Sequence, residues 1–102
     1  MTELRIVATL VAVFEWDEQK RKLNVAKHGI DFRDAEAIFD GPLVTVEDWR
    51  EPYGELRYLA LGLLGDLVVS VVYTERGDRV RIISIRKALK HEARFYFSQI
   101  TK

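Results

Sequence analysis

The chain has 102 residues, no cysteine, and 16 Lys and Arg against 16 Asp and Glu, so its formal net charge is zero. The missing cysteines exclude disulfides, thiolate metal sites and thiol nucleophiles, and fit a reducing compartment. A composition of 48% hydrophobic and 31% charged residues is globular rather than disordered, the length is that of one domain over 1–102, and neutrality argues against a long-range electrostatic nucleic-acid binder.

In chain order, the first element is an apolar run, Leu4 to Phe14, that reads as a strand. It is too short to span a bilayer. Glu3 before it and Glu15-Trp16-Asp17 after it do not make a cleavable leader, so a cytoplasmic protein with no membrane association is expected. Asp17 is placed to cap a helix running to about His28, with Gly29 as its stop. Asp31 caps a second, short helix that sets Phe32, Ala35, Ile38 and Phe39 on one face, and Asp40-Gly41-Pro42 ends it.

Beyond Leu43 the periodicity becomes extended. Leu43 to Val46 is a short strand, and Asp48-Trp49-Arg50-Glu51-Pro52-Tyr53-Gly54 a polar, turn-rich loop. Leu56 to Leu61 and Leu67 to Thr74 are strands joined across Gly62 to Asp66. Glu75-Arg76-Gly77-Asp78 is a tight hairpin signal, and Arg79 to Ile85 pairs back. A last helix, Ala88 to Ile100, aligns Leu89, Ala93, Tyr96 and Ile100. The expected fold is α+β in the order β-α-α-β-β-β-β-α: an antiparallel twisted sheet, a meander, with two helices from the N-terminal half and one from the C-terminus packed on one side.

Charge is unevenly spread. Residues 1–75 hold 8 Lys and Arg against 14 Asp and Glu, whereas residues 76–102 hold 8 against 2. Such a split either neutralises itself within the fold or marks a phosphate-bearing or acidic partner. The richest stretch is Arg79-Val80-Arg81-Ile82-Ile83-Ser84-Ile85-Arg86-Lys87. Arg81 and Arg86 fall on opposite parities, so they share a face only if a bulge or the strand end intervenes. Each either forms a salt bridge, with Glu92, Glu55 or Glu75 available, or grips a phosphodiester through paired N–H donors. Arg57 and Arg76 are further candidates.

His28 suits either capping of the first helix or proton transfer, whereas His91 reads as solvent-facing. Tyr58, Tyr73, Tyr96, Phe95 and Phe97 are more aromatics than one helix face buries, leaving some for base stacking, a partner groove or homodimerisation. No metal-ligand spacing and no phosphate-binding glycine loop are present, and no metal or cofactor is expected.

Phe14-Glu15-Trp16-Asp17, Lys20, Asn24, Lys27-His28-Gly29, Phe32, Ala35 and Phe39-Asp40 together resemble the BrnT toxin family. The resemblance continues through Gly54-Glu55-x-Arg57-Tyr58, Gly62, Val71-Val72-Tyr73-Thr74, Arg81-Ile82-Ile83-Ser84-x-Arg86-x-Ala88 and Glu92-x-x-x-Tyr96, covering about residues 14–98. It implies a RelE-like ribonuclease fold, RNA cleavage that inhibits translation, neutralisation by a BrnA-like antitoxin, and contact with operator DNA only through that antitoxin. Family members begin almost at Phe-Glu-Trp-Asp, so residues 1–13 read as an N-terminal extension that either lengthens the first strand or precedes a translation start near Val13.

The resemblance further implies metal-independent cleavage in which the ribose 2′-hydroxyl attacks the adjacent phosphate. On that reading Arg57, Arg81 and Arg86 hold the phosphate, and Glu55 or His28 serves as base or acid. Lys27, Arg76 and Tyr96 would contact RNA. The rival expectation is a binding module without catalysis, whose basic C-terminal third docks an acidic partner or RNA.

Overall fold

The computed structural model describes residues 3–5 and 13–101. Its elements are β1 (Glu3–Arg5), β2 (Val13–Glu15), α1 (Glu18–His28), a 3-10 turn (Phe32–Asp34), α2 (Ala35–Phe39), β3 (Leu43–Glu47), β4 (Tyr58–Leu64), β5 (Leu67–Arg76), β6 (Arg79–Lys87) and α3 (Lys90–Ile100). Of the expected first strand, Leu4 to Phe14, the two described parts belong to β1 and β2, which lie at opposite edges of the sheet. Residues 6–12 between them lie outside the described residues. Among the described residues, no helix is long and apolar enough to cross a membrane.

The local signals that start and stop the helices act as their chemistry requires. The Asp17 carboxylate accepts from the backbone N–H of Lys20, and Gly29 closes α1 at φ 72°, a left-handed conformation that glycine adopts without a Cβ clash. Asp31 accepts from the N–H of Arg33 to open the 3-10 turn.

The sheet order is β1-β3-β4-β5-β6-β2. β3 to β6 form the expected antiparallel meander, with β1 added antiparallel to β3. β2, however, runs parallel to β6, setting Phe14 opposite Val80 and Glu15 opposite Arg81. The sheet is therefore mixed, which corrects the expectation of a purely antiparallel one. Short connections dictate antiparallel pairing only between consecutive strands. β2 is separated from β6 by two helices and three strands, so nothing local sets its direction. β4 also extends past Gly62 to a two-residue turn at Gly65-Asp66, where a longer loop was expected.

One face of the sheet carries the larger core. Ala60, Val69, Val71, Tyr73, Val80, Ile82 and Ile85 point onto it and meet Phe32, Ala35, Ile38 and Phe39, the face expected of the short second helix. Phe39 sits edge-on to both Phe14 and Tyr73, with ring centroids 5.2 Å apart in each case. α2 approaches β4 closely at Gly62, where a Cβ would stand 3.0 Å from the Ile38 side chain, and 2.8 Å from that of Leu43 on β3. α1 contributes little apolar surface. Its one buried residue, Asn24, donates to the carbonyl of Ile85 (2.8 Å) and accepts from its N–H (3.2 Å), so the amide replaces a missing strand partner along β6.

α3 lies on the opposite face, not beside the other helices as expected. Tyr96 packs there with Val44, Leu61 and Val68, flanked by Leu59 and Leu63. The alternation of β4 explains this. Ala60 and Leu64 point to one core while Leu59, Leu61 and Leu63 point to the other, so both faces need a cover. Among the described residues, α3 packs on β3, β4 and β5 of this face, and no helix lies over its part toward the β5–β6 hairpin.

Candidate functional site

That uncovered part is lined with arginine. Along β5 and β6, Ser70 opposes Arg86, Val72 opposes Ser84, Thr74 opposes Arg81, and Arg76 opposes Arg79. These pairs fall on alternate residues of β5 and therefore share one face. The register skips at Val72/Tyr73, where Ser84 pairs with Val72 but Ile82 pairs with Tyr73, leaving Ile83 as an extra residue. This bulge reverses the parity of β6, and it puts Arg79, Arg81 and Arg86 together while Val80, Ile82 and Ile85 stay in the core. Arg57, just before Tyr58, falls on the parity of Leu59 and so on the same face. Thr74 links the two strands here, its hydroxyl donating to the carbonyl of Leu56 at 2.6 Å.

The arginines form three groups. Arg81 donates to Glu15 at 2.8 Å, and Arg79 reaches the other oxygen of the same carboxylate at 3.5 Å. The hydrogen bond from Arg81, aided by Arg79, holds the Glu15 carboxyl below its usual range. Glu55 bridges Arg57 (3.3 Å) and Arg76 (3.4 Å), and the Arg57 guanidinium also lies 4.1 Å over the Tyr53 ring. Arg57 and Arg81 stand on either side of Thr74, roughly 10 Å apart by strand spacing. Arg81 and Arg57 are both half-buried, which orients their guanidinium groups without removing them from solvent.

Arg86 is engaged differently. It forms a two-pronged pair with Glu92 (2.8 and 3.0 Å), and Glu92 also accepts from the N–H of Leu89 at the start of α3. The pair lowers the Glu92 pKa and fastens α3 to β6. Arg86 lies roughly 13 Å along the strand from Arg81.

The remaining sequence candidates lie elsewhere. Lys27 and His28 occupy the last turn of α1, outside the β5–β6 pairs that carry the arginines. Tyr96 is fully buried, and its hydroxyl donates to the carbonyl of Pro42 at 2.9 Å. Burial raises its pKa, so neither its ring nor its proton is offered to a base or a phosphate. Two members of the site escaped sequence reasoning. Glu15 was legible only as part of the Phe-Glu-Trp-Asp motif, and Arg79 only as a strand residue.

The chain is thus an α+β domain that sets arginines from neighbouring strands on one face of its sheet, each of them paired with a carboxylate. The model of a family described as "Ribonuclease toxin, BrnT, of type II toxin-antitoxin system" matches residues 16–92, and the chain belongs to this family. Membership makes it a ribonuclease toxin at the level of the family, with an antitoxin as partner and RNA as target. No curated protein matches it.

Proposed function

We propose that this chain is a cytoplasmic endoribonuclease of RelE-like fold that cuts RNA without a metal, inhibits translation, and is neutralised by a BrnA-like antitoxin that alone touches operator DNA. The observation that carries this reading is the bulge at Ile83, which aligns Arg79, Arg81 and Arg86 with Arg57 and Arg76 on one face of the sheet. In the reaction, the 2′-oxygen bonds to phosphorus as the bond from phosphorus to the 5′-oxygen breaks. The departing 5′-oxygen takes a proton from solvent water, so a 2′,3′-cyclic phosphate and a 5′-hydroxyl result. Arg81 and Arg57 flank the phosphate and stabilise the charge that grows on its non-bridging oxygens, with Arg76 binding the chain beside them. Glu55, between Arg57 and Arg76, takes the 2′-hydroxyl proton. His28 is the second candidate for proton transfer, and Lys27 adds positive charge on an exposed surface. Arg86 supports the site by holding α3.

The test is inducible expression of the chain beside an Arg81→Ala variant, with growth and newly formed RNA ends followed together. Growth arrest and new ends from the parent only are expected. Equal cutting by a folded Arg81→Ala protein would refute the assignment.

One observation favours the rival, a module that binds and does not cut. Arg57, Arg81 and Arg86 each already hold a carboxylate, as they would hold an acidic segment of a partner. A folded parent chain that arrests growth yet leaves RNA intact would select that reading.

A further inference from the structure

The loop between β3 and β4 has its polarity inside out. Asp48 is buried, and its carboxylate accepts from the Arg50 backbone N–H (3.2 Å), from Arg50 Nε and Nη2 (2.7 Å each) and from the Tyr53 hydroxyl (3.0 Å). The hydrogen bond from Arg50 holds its pKa at about 2. The Asp48 N–H donates to the carbonyl of Arg57 at 2.8 Å and closes the loop. Against this buried polar centre, Trp49 is 79% exposed.

A lone exposed apolar side chain is ordinary, but Trp49 has two further features beside it. It edges an open groove of about 470 Å³, whose walls include Arg50, Pro52, Tyr53 and Arg57. Arg57 also belongs to the arginine row that faces Arg81. An exposed aromatic ring at the edge of a groove that two arginines also line, in a loop that its own hydrogen bonds pre-organise, is what a splayed-out base stacks on.

We propose that the 48–57 loop binds a nucleobase, with Trp49 stacking on the residue next to the phosphate held by Arg57 and Arg81, and so selects where single-stranded RNA is cut. This inference rests on the ribonuclease reading above. Asp48 is a positioning residue that acts through the loop.

The test uses the full chain, short 2′-O-methyl RNA oligonucleotides that cannot be cut, and Trp49→Ala and Trp49→Phe variants. Binding should quench Trp49 emission in the parent. Trp49→Ala should lose the quench and bind about 5- to 150-fold more weakly, the usual worth of one base–aromatic stack. Trp49→Phe should restore most of the affinity. Mapped RNA ends should show an altered base frequency at one position beside the cut for Trp49→Ala.

Unchanged affinity and unchanged ends for Trp49→Ala would overturn the inference and leave the ribonuclease reading standing. Quenching that needs Trp49, with no cutting by the parent, would support the base site and refute the nuclease. Normal cutting by Trp49→Ala with lost neutralisation by the co-expressed antitoxin would assign Trp49 to the protein partner and overturn the inference.

Discussion

The two faces of β6 share a backbone and differ in almost everything else. On one face Val80, Ile82 and Ile85 are nine-tenths or more buried beneath the turn and α2. On the other, Arg79, Arg81 and Arg86 remain partly in water, each tied to a carboxylate. The first face gains its stability from apolar area removed from water. Exposed ion pairs contribute little to stability, so the second face is free to serve a partner. On the proposed function, the contrast makes stability and activity separable by residue parity.

The sharpest way to break that comparison is Arg81→Ala. It should lower RNA cleavage by about two to three orders of magnitude, as measured by the rate of appearance of new ends. Its unfolding free energy should stay within about 1 kcal/mol of the parent. A variant that unfolds as readily as it loses activity would show the faces to be coupled. Phe39→Ala, beneath the opposite face, should instead cost about 3–5 kcal/mol in chemical denaturation, because it empties the contact of three aromatic rings.

Asn24→Ala tests the boundary between the faces. It strands the N–H and carbonyl of Ile85 and the carbonyl of Ile30, and should cost about 1–3 kcal/mol by the same measurement. The smallest effect expected is acid loosening of the loop at Asp48. Its folded pKa, about 2, lies below the ordinary value of 3.8, so the stability it contributes is complete above that value. That stability is lost as pH falls from about 4 toward 2. Trp49 emission should shift over that window, and Asp48→Asn should show the shifted emission already at neutral pH.

Local structure was legible in the sequence wherever one residue's chemistry decides it. The caps at Asp17, Gly29 and Asp31, the buried stripe from Phe32 to Phe39 and the turn at Gly77 follow from side-chain acceptors, glycine freedom and period. What stayed hidden involves choices between distant partners. The stripe on α3 announces an apolar face but does not say which side of the sheet receives it. β6 is apolar at Ile82, Ile83 and Ile85 alike, so alternation alone cannot reveal that Ile83 is the extra residue. The arginines were named from the sequence as individuals, but only the bulge makes them a group. Glu15 was hidden for the same reason as the parallel pairing that brings it to Arg81.

That pairing also has a consequence for the order in which the molecule assembles. Glu15 and Arg81 are 66 residues apart, and the loop between them must close before they meet. Closure over such a separation is slow compared with forming the β4–β5 and β5–β6 hairpins, so the edge strand docks late. On the ribosome, moreover, β2 is made early and waits for β6, the last strand to emerge. A nascent chain therefore carries no assembled arginine–carboxylate centre until most of its length has been synthesised, and the timing of its chemistry is written into its topology.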